Sequence, residues 1–168
     1  RKQTHQGKND DSSWARGQAW AIYGYTACFR ETNDSIFLNF AKDIANMIMD
    51  RVKTEDAIPY WDYDAPVTKE TPRDVSAASV TASAMIELST MVPDGQKYLD
   101  YAEKILKSLS SDAYLAKVGD NQGFILMHSV GSLPNGSEID TPLNYADYYY
   151  LEALKRFMNL KGINYKDI

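Results

Sequence analysis

The sequence is organised around the stretch Trp14-Ala15-Arg16-Gly17-Gln18-Ala19-Trp20, which carries two of the three tryptophans with an arginine between them. Residues four apart share one face of a helix, so a helix here places Trp14 over Gln18 and Arg16 over Trp20. A guanidinium forks onto a carboxylate, and indole rings cover the apolar face of a flat ligand. The spacing therefore indicates either a site for an anionic, flat-faced ligand or a packed helix whose arginine reaches solvent or caps a neighbouring carbonyl.

The helical segments along the chain alternate between two kinds. Segments that begin near residues 12, 74 and 142 are apolar on nearly every side, as expected of helices with neighbours all round. Segments at about 35–52 and 96–109 are amphipathic, with a single apolar stripe. An inner ring of helices backed by an outer ring produces this alternation, so the sequence predicts an all-α toroid of helical hairpins.

Polar residues with capping chemistry mark where these helices begin. Asp34 and Asp74 are expected to cap the second and third helices, and Asp11–Ser13 the first. The segment 119–141 is rich in Gly, Asn and Ser, which predicts a long loop with a short extended run at 124–127.

The lengths of the connections place the long loops at one rim. Connections that follow the all-round apolar helices are very short, whereas those that precede them, 53–73 and 119–141, are long. In a ring of hairpins this gathers the long loops around the N-termini of the inner helices, where the helix dipoles favour an anion. A ligand site is therefore predicted at that rim, near Gln6, Trp14 and His128.

Length and composition restrict the class of protein. The 168 residues are 44% hydrophobic, enough for one domain with a sizeable core. The net charge of -5 is spread without long runs, which argues against nucleic acid or a membrane surface as a partner. The single cysteine, Cys28, excludes an internal disulfide and cysteine-based metal clusters. Because the chain starts at Arg1 without a methionine, its compartment stays open between cytoplasm and periplasm.

Four motifs in order extend the central stretch into a family resemblance. They are the central stretch with its flanks Thr4–Gly7 and Asp10–Ser13, then Pro59–Pro66, Arg73–Ala78, and His128–Val130 followed by Pro134–Gly136. From about residue 4 to about residue 160 the chain resembles the unsaturated glucuronyl hydrolases, family 88 of the glycoside hydrolases. The resemblance implies the six-hairpin (α/α)6 barrel, of which residues 1–168 are expected to form the C-terminal half of a single catalytic domain.

The resemblance also implies a reaction. Such enzymes act on oligosaccharides that end in a 4,5-unsaturated uronic acid, and they hydrate its enol-ether double bond without a metal or an organic cofactor. The two aspartates that carry the acid–base work are expected upstream of Arg1, so we predict no catalytic residue here and no activity in the chain alone. Asp62 and Asp64 mimic a pair of acids, but the resemblance assigns them no catalytic role.

The substrate-binding residues that the resemblance implies are Gln6, Trp14, Arg16, Trp20 and His128. Arg16 is expected to pair with the uronate carboxylate, while Trp14 and Trp20 cover the ring face. His128 has a second interpretation as a hydrogen-bonded structural imidazole. The expected partner is an oligosaccharide with an unsaturated uronate at its end.

Two other functions fit the sequence. The related unsaturated rhamnogalacturonyl hydrolases typically carry Trp-Gly-Arg-Gly-Asn-Gly-Trp in the central motif, whereas this chain has Ala15, Gln18 and Ala19, which favours the glucuronyl branch. A non-catalytic helical-repeat module that binds acidic glycans or a protein is the third interpretation. Since half a toroid leaves apolar cut edges, self-association through those edges is also predicted.

Overall fold

The computed structural model describes residues 3–164 and 166. The helices and strands, in chain order, are α1 (Ala15–Thr32), α2 (Ser35–Arg51), α3 (Val75–Ser89), α4 (Gln96–Leu109), β1 (Ser129–Ser132), β2 (Ser137–Thr141) and α5 (Asn144–Lys161). A short 3-10 turn, Asn121–Gly123, precedes β1. Helices thus dominate the described part of the chain, as the sequence predicts.

Two of the predicted caps are confirmed. Asp34 accepts a hydrogen bond from the amide of Ile36 at 2.9 Å and begins α2. Asp74 accepts hydrogen bonds from the amides of Ser76 and Ala77 and begins α3. A carboxylate at this position satisfies amides that the first turn of a helix leaves unpaired, which is why these two starts follow from the local sequence.

The predicted cap of α1 is wrong. Trp14 occupies the N-cap position and makes no capping hydrogen bond with its side chain. The polar groups of the preceding residues are taken by a distant loop, since Ser12 donates to Asp62 and the amide of Ser13 donates to Asp64. The first turn is instead held by the amide of Ala15, which donates a hydrogen bond to the carbonyl of Trp61 at 3.1 Å.

The segment 119–141 contains a hairpin that an all-α fold does not predict. β1 and β2 pair antiparallel, with a shift of register between Ser129 and Val130. The predicted extended run at 124–127 contributes an isolated bridge between Leu115 and Leu126. The hairpin forms later in the chain because its carbonyls bind side chains from α1 and from the N-terminal loop, and the local sequence does not reveal those contacts.

Helix α3 lies at the centre of the fold. It packs against α1 on one side, α5 on the other and α4 behind, while α2 packs on α1. Nearly every residue of α3 is buried, including Ser76, Ser79, Thr81 and Ser83. Its many Ala and Ser side chains let neighbouring helices approach closely, so α1, α3 and α5 form an inner layer and α2 and α4 an outer one.

Large apolar side chains remain exposed on α2 and α5. Ile36 and Phe40 are about half exposed on α2, as are Tyr148 and Leu151 on α5. Self-association is predicted through the apolar cut edges of the half barrel, and that prediction stands untested. Within residues 3–164 and 166, no helix combines the length and the apolarity needed to cross a membrane.

Candidate functional site

Arg16 lies in the first turn of α1 and joins three elements of the fold. Its side chain is only 3% exposed, and Nη1 donates at 3.2 Å to a carboxylate oxygen of Asp74, which is fully buried. The same nitrogen donates to the hydroxyl of Ser76 at 3.2 Å. The guanidinium also donates to the carbonyls of Val130 and Gly131 in β1. Arg16 therefore ties the start of α1 to the start of α3 and docks the hairpin on both.

This arrangement corrects the predicted geometry around Arg16. The guanidinium is not presented as an open fork for a carboxylate, because a buried charge needs a partner and Asp74 supplies it. The rings that cover it are those of Trp14 at 4.7 Å and Tyr145 at 5.3 Å, so the second ring is not that of Trp20. The structure matches the alternative in which the arginine caps neighbouring carbonyls.

Aromatic side chains from α1 and α5 form a continuous surface beside this cluster. We call it the aromatic wall; its residues are Trp14, Trp20, Tyr23, Tyr145 and Tyr149, all of them half-buried. The ring of Tyr149 meets those of Trp20 and Tyr23 edge to face, each at 5.0 Å between centroids. Edge-to-face pairs are the favoured geometry for such rings, so the wall is a rigid surface with partly exposed apolar faces.

Burial keeps the phenols of the wall neutral. It raises the pKa of Tyr145 and of Tyr149, and burial together with the carboxylate of Glu152 raises the pKa of Tyr23 to about 12. A neutral phenol donates hydrogen bonds and repels no anion. The wall can therefore lie against an acidic sugar without adding negative charge.

A polar network holds the aromatic wall at Tyr23. Glu152 of α5 accepts hydrogen bonds from Ser83 of α3 at 2.5 Å and from the hydroxyl of Tyr23 of α1 at 3.1 Å. Nearby, Glu87 of α3 pairs with Arg156 of α5 at 2.7 Å and with Arg30 of α1 at 2.6 Å. These contacts join all three inner helices and keep the aromatic rings of α1 and α5 in register.

The N-terminal loop reaches the same strand as Arg16. The side-chain amide of Gln6 donates to the carbonyl of Gly131 at 2.9 Å, so Gln6 and Arg16 share an acceptor. Asp62, which is buried, holds this loop by accepting from the amide of Lys8 at 2.9 Å. Asp64 pairs with Arg51 at 2.5 Å. Both carboxylates thus hold loops in place.

His128 immediately precedes β1 and has an unusual backbone. Its φ is +68°, in the left-handed region that side chains other than glycine rarely adopt. Its Nδ1 lies 2.6 Å from a carboxylate oxygen of Asp140 in β2, and its ring meets that of Tyr114 edge to face at 6.2 Å. Its carbonyl accepts from the amide of Val75 at the start of α3, at 3.2 Å. The imidazole is thus oriented from several directions while its side chain remains 42% exposed.

Four of the five predicted site residues lie at or beside β1. Gln6 and Arg16 meet at its carbonyls, Trp14 covers Arg16, and His128 leads into the strand. Trp20 joins through Tyr145, whose ring lies 6.3 Å from its own. No group of three or more His, Cys, Asp or Glu side chains within residues 3–164 and 166 is placed to hold a metal ion.

Sequence reasoning missed four residues that contact the predicted site residues. They are Asp74 as the partner of Arg16, Tyr145, Tyr149 and Asp140. The spacing of Tyr145 and Tyr149, four apart in a helical segment, was a usable signal for a shared aromatic face. Asp140 carries no such local signal, because its position depends on the pairing of two strands.

Comparison with known proteins assigns the chain to a class of enzyme. A family profile described as glycosyl hydrolase family 47 matches residues 17–161, which contain nearly all of the five helices. The chain belongs to the glycosyl hydrolases. An unsaturated glucuronyl hydrolase from Formosa agariphila is 48% identical over 160 residues, which are 95% of this chain and 40% of that protein.

Solved structures of glycosyl hydrolases agree with that relative. A crystal structure of an unsaturated glucuronyl hydrolase specific for heparin has a TM-score of 0.95 and 58% identity, and the match covers 97% of this chain and 44% of that one. A substituted unsaturated glucuronyl hydrolase from Streptococcus agalactiae, complexed with dGlcA-GalNAc6S, has a TM-score of 0.84 and 35% identity over 92% of this chain and 41% of that one.

These matches confirm the resemblance to unsaturated glucuronyl hydrolases and the helical-barrel fold. The profile's family number differs from the family 88 expected from the motifs, but the residue-by-residue matches agree with the motifs. The matching structures are (α/α)6 barrels, and the five helices form about half of such a ring. The chain spans about 40% of the length of the curated relatives it matches.

Proposed function

We propose that this chain forms the sugar-binding side of a hydrolase that removes a terminal 4,5-unsaturated glucuronic acid from oligosaccharides released by polysaccharide lyases. The observation that carries the proposal is the aromatic wall beside the docked hairpin, in a chain 48% identical to an unsaturated glucuronyl hydrolase. Carbohydrate rings present apolar faces edged by hydroxyl groups, and a rigid aromatic surface flanked by polar side chains is suited to both.

In this proposal the acid–base aspartates belong to polypeptide outside residues 1–168. Water adds across the double bond, with a proton going to C4 and the hydroxyl to C5. The resulting hemiketal opens, the glycosidic bond breaks, and the uronate leaves as an open-chain keto acid. The part of this chain is to hold the unsaturated ring while those steps proceed.

Each predicted site residue has a proposed role. Trp14 and Trp20 cover the ring face, and Gln6 and His128 supply polar contacts at the rim. Arg16 acts through the protein, because its donors are taken by Asp74 and the hairpin. It holds β1 against the starts of α1 and α3, and this fixes the positions of the polar contacts at the rim.

The proposed substrates are disaccharides derived from glycosaminoglycans. The relative with 58% identity is described as specific for heparin, and the Streptococcus agalactiae enzyme is complexed with a disaccharide that carries a sulfated N-acetylgalactosamine. A heparin-type unsaturated disaccharide is the first to test, since the identity to that relative is higher.

The test compares two aromatic substitutions in the enzyme that contains this chain. Hydrolysis is followed by the loss of ultraviolet absorption of the C4–C5 double bond. Trp20→Ala is expected to raise KM about tenfold, because an aromatic contact contributes roughly 0.5–1.5 kcal/mol beyond its buried area. Phe40→Ala removes a 47%-exposed ring from the outer helix α2 and is the matched control.

The outcomes separate the competing functions. Equal KM for both variants and the unsubstituted enzyme would contradict a sugar site at the wall. Hydrolysis by residues 1–168 alone would overturn the placement of the catalytic acids. Binding of saturated and unsaturated disaccharides with equal affinity, without hydrolysis in the complete enzyme, would favour the non-catalytic glycan-binding module.

A further inference from the structure

We propose that Asp140 is a positioning residue that fixes the tautomer and the orientation of the His128 imidazole. Nδ1 of His128 lies 2.6 Å from a carboxylate oxygen of Asp140. An ionised carboxylate only accepts hydrogen bonds, so in the neutral imidazole the proton lies on Nδ1 and Nε2 is able to accept a hydrogen bond from a sugar hydroxyl. The inference rests on the proposed function, since it assigns the exposed edge of the imidazole to the substrate.

The hairpin is built so that Asp140 faces His128. Ser129 pairs with Thr141 but Val130 pairs with Ile139, so the register skips Asp140 and makes it the extra residue of a bulge. Bulges bend a strand and re-aim a side chain, and they are frequent beside active sites. Without this bulge the alternation of side chains along β2 would give residue 140 a different direction.

Both members of the pair have strained backbones. The φ of His128 is +68° and that of Asp140 is +51°, and neither residue is a glycine. Such conformations persist where the surrounding structure over-determines them, and they cluster at functional sites.

Further contacts involve the backbone and the ring of His128. The carbonyl of His128 accepts a hydrogen bond from the amide of Val75. The imidazole ring packs edge to face with the ring of Tyr114, with 6.2 Å between the ring centroids. The hydroxyl of Tyr114 in turn donates to Asp56 at 2.5 Å, which fixes that ring. The His128 side chain is nevertheless 42% exposed, so a ligand has access to it.

The first test is spectroscopic and does not depend on activity. In the enzyme that contains this chain, comparison with His128→Gln assigns the imidazole signals of His128 in a nitrogen-15 NMR spectrum. The spectrum is expected to show a proton on Nδ1. Asp140→Gly keeps the positive φ without strain and removes the carboxylate, and it is expected to abolish the preference for Nδ1. Asp140→Asn tolerates the same φ and can accept through its amide oxygen, so it is expected to retain that preference.

The second test measures kcat/KM for an unsaturated disaccharide in the enzyme that contains this chain. Asp140→Gly is expected to lower it about tenfold, the loss of one well-placed hydrogen bond, and Asp140→Asn to restore most of it. Glu138→Gly is the control, because it removes the same charge from β2 at another positive φ of +53°.

The results distinguish this inference from the proposed function. An unchanged tautomer in Asp140→Gly overturns the role of Asp140, and so does a changed tautomer with unchanged kcat/KM. A loss in Glu138→Gly equal to that in Asp140→Gly also overturns it, since charge alone would then explain the effect. Absence of hydrolysis in the unsubstituted enzyme refutes the proposed function, whereas the NMR result still decides whether Asp140 orients His128.

Discussion

Replacing Arg16 by methionine is the sharpest test of how the site is held together. The substitution keeps much of the side-chain volume but leaves the fully buried carboxylate of Asp74 without its opposite charge. Removing one partner of a buried ion pair typically destabilises a protein by about 3–5 kcal/mol. The carbonyl of Val130 also loses the hydrogen bond from Arg16, and an unsatisfied buried carbonyl costs about 1–3 kcal/mol of stability. The carbonyl of Gly131 still accepts a hydrogen bond from Gln6.

Because these contributions overlap, we expect Arg16→Met to lower the free energy of unfolding by about 4 kcal/mol. That is a large part of the roughly 5–15 kcal/mol that stabilises a typical domain. The measurement is urea denaturation followed by circular dichroism and tryptophan fluorescence. Arg30→Met is the matched control on the same helix, and since its side chain is 47% exposed we expect a change of about 1 kcal/mol or less.

A double-mutant cycle keeps the reasoning testable if Arg16→Met is too unstable to study. Asparagine is a good helix cap, so Asp74→Asn removes the charge at the start of α3 while retaining a cap. We expect Arg16→Met combined with Asp74→Asn to be more stable than Arg16→Met alone, because no buried charge remains unpaired. A cost below about 1 kcal/mol for Arg16→Met, or independent effects of the two substitutions, would refute the role assigned to this pair.

Two further predictions concern single positions away from the wall. Gly95→Ala should lower the free energy of unfolding by about 1–3 kcal/mol, because an added Cβ would lie 1.9 Å from the carbonyl oxygen of Ser89. An added Cβ at Gly24, within α1, would meet no atom within 4 Å, so Gly24→Ala should raise the free energy of unfolding by about 0.5–1 kcal/mol. If the two substitutions shift the urea midpoint in the same direction, this explanation is contradicted. The hydrogen bond from Arg51 lowers the pKa of Asp64, so this carboxyl stabilises the fold above its unfolded pKa of about 3.9 and the stabilisation is lost as pH falls through the folded pKa. The difference in urea midpoint between the unsubstituted protein and Asp64→Asn should therefore shrink from about pH 6 to about pH 3, and a constant difference would contradict it.

The position of Arg16 changes how the central motif is understood. An arginine between two tryptophans suggests a direct ligand for an acid, yet its guanidinium is buried and paired with Asp74. In the proposed site the motif keeps a role, since Arg16 holds the strand that follows His128 and its guanidinium lies against the ring of Trp14. Its contribution to binding is therefore expected through the geometry of the rim, and substitution should affect stability and KM together.

Local chemistry accounts for what could be predicted without coordinates. The bounds of α4 coincide with the predicted 96–109, because its apolar stripe and the preceding Pro93-Asp94-Gly95 are both visible in the sequence. Asp34 and Asp74 were predictable caps, since each carboxylate binds an amide only two residues further on. The order of the motifs predicted the family for the same reason: each motif is a short, contiguous string of residues.

Contacts between distant segments account for what only the tertiary structure decided. The partner of Arg16 lies 58 residues away, and its carbonyl acceptors lie more than a hundred residues away. Ser12 and Ser13 were predicted as part of a cap but bind Asp62 and Asp64, about fifty residues further on. The sequence by itself determined the helices and the family, because both depend on neighbouring residues. The burial of Arg16, the hairpin and the pairing of Asp140 with His128 were decided by folding, because each requires chain segments that meet only when the helices pack.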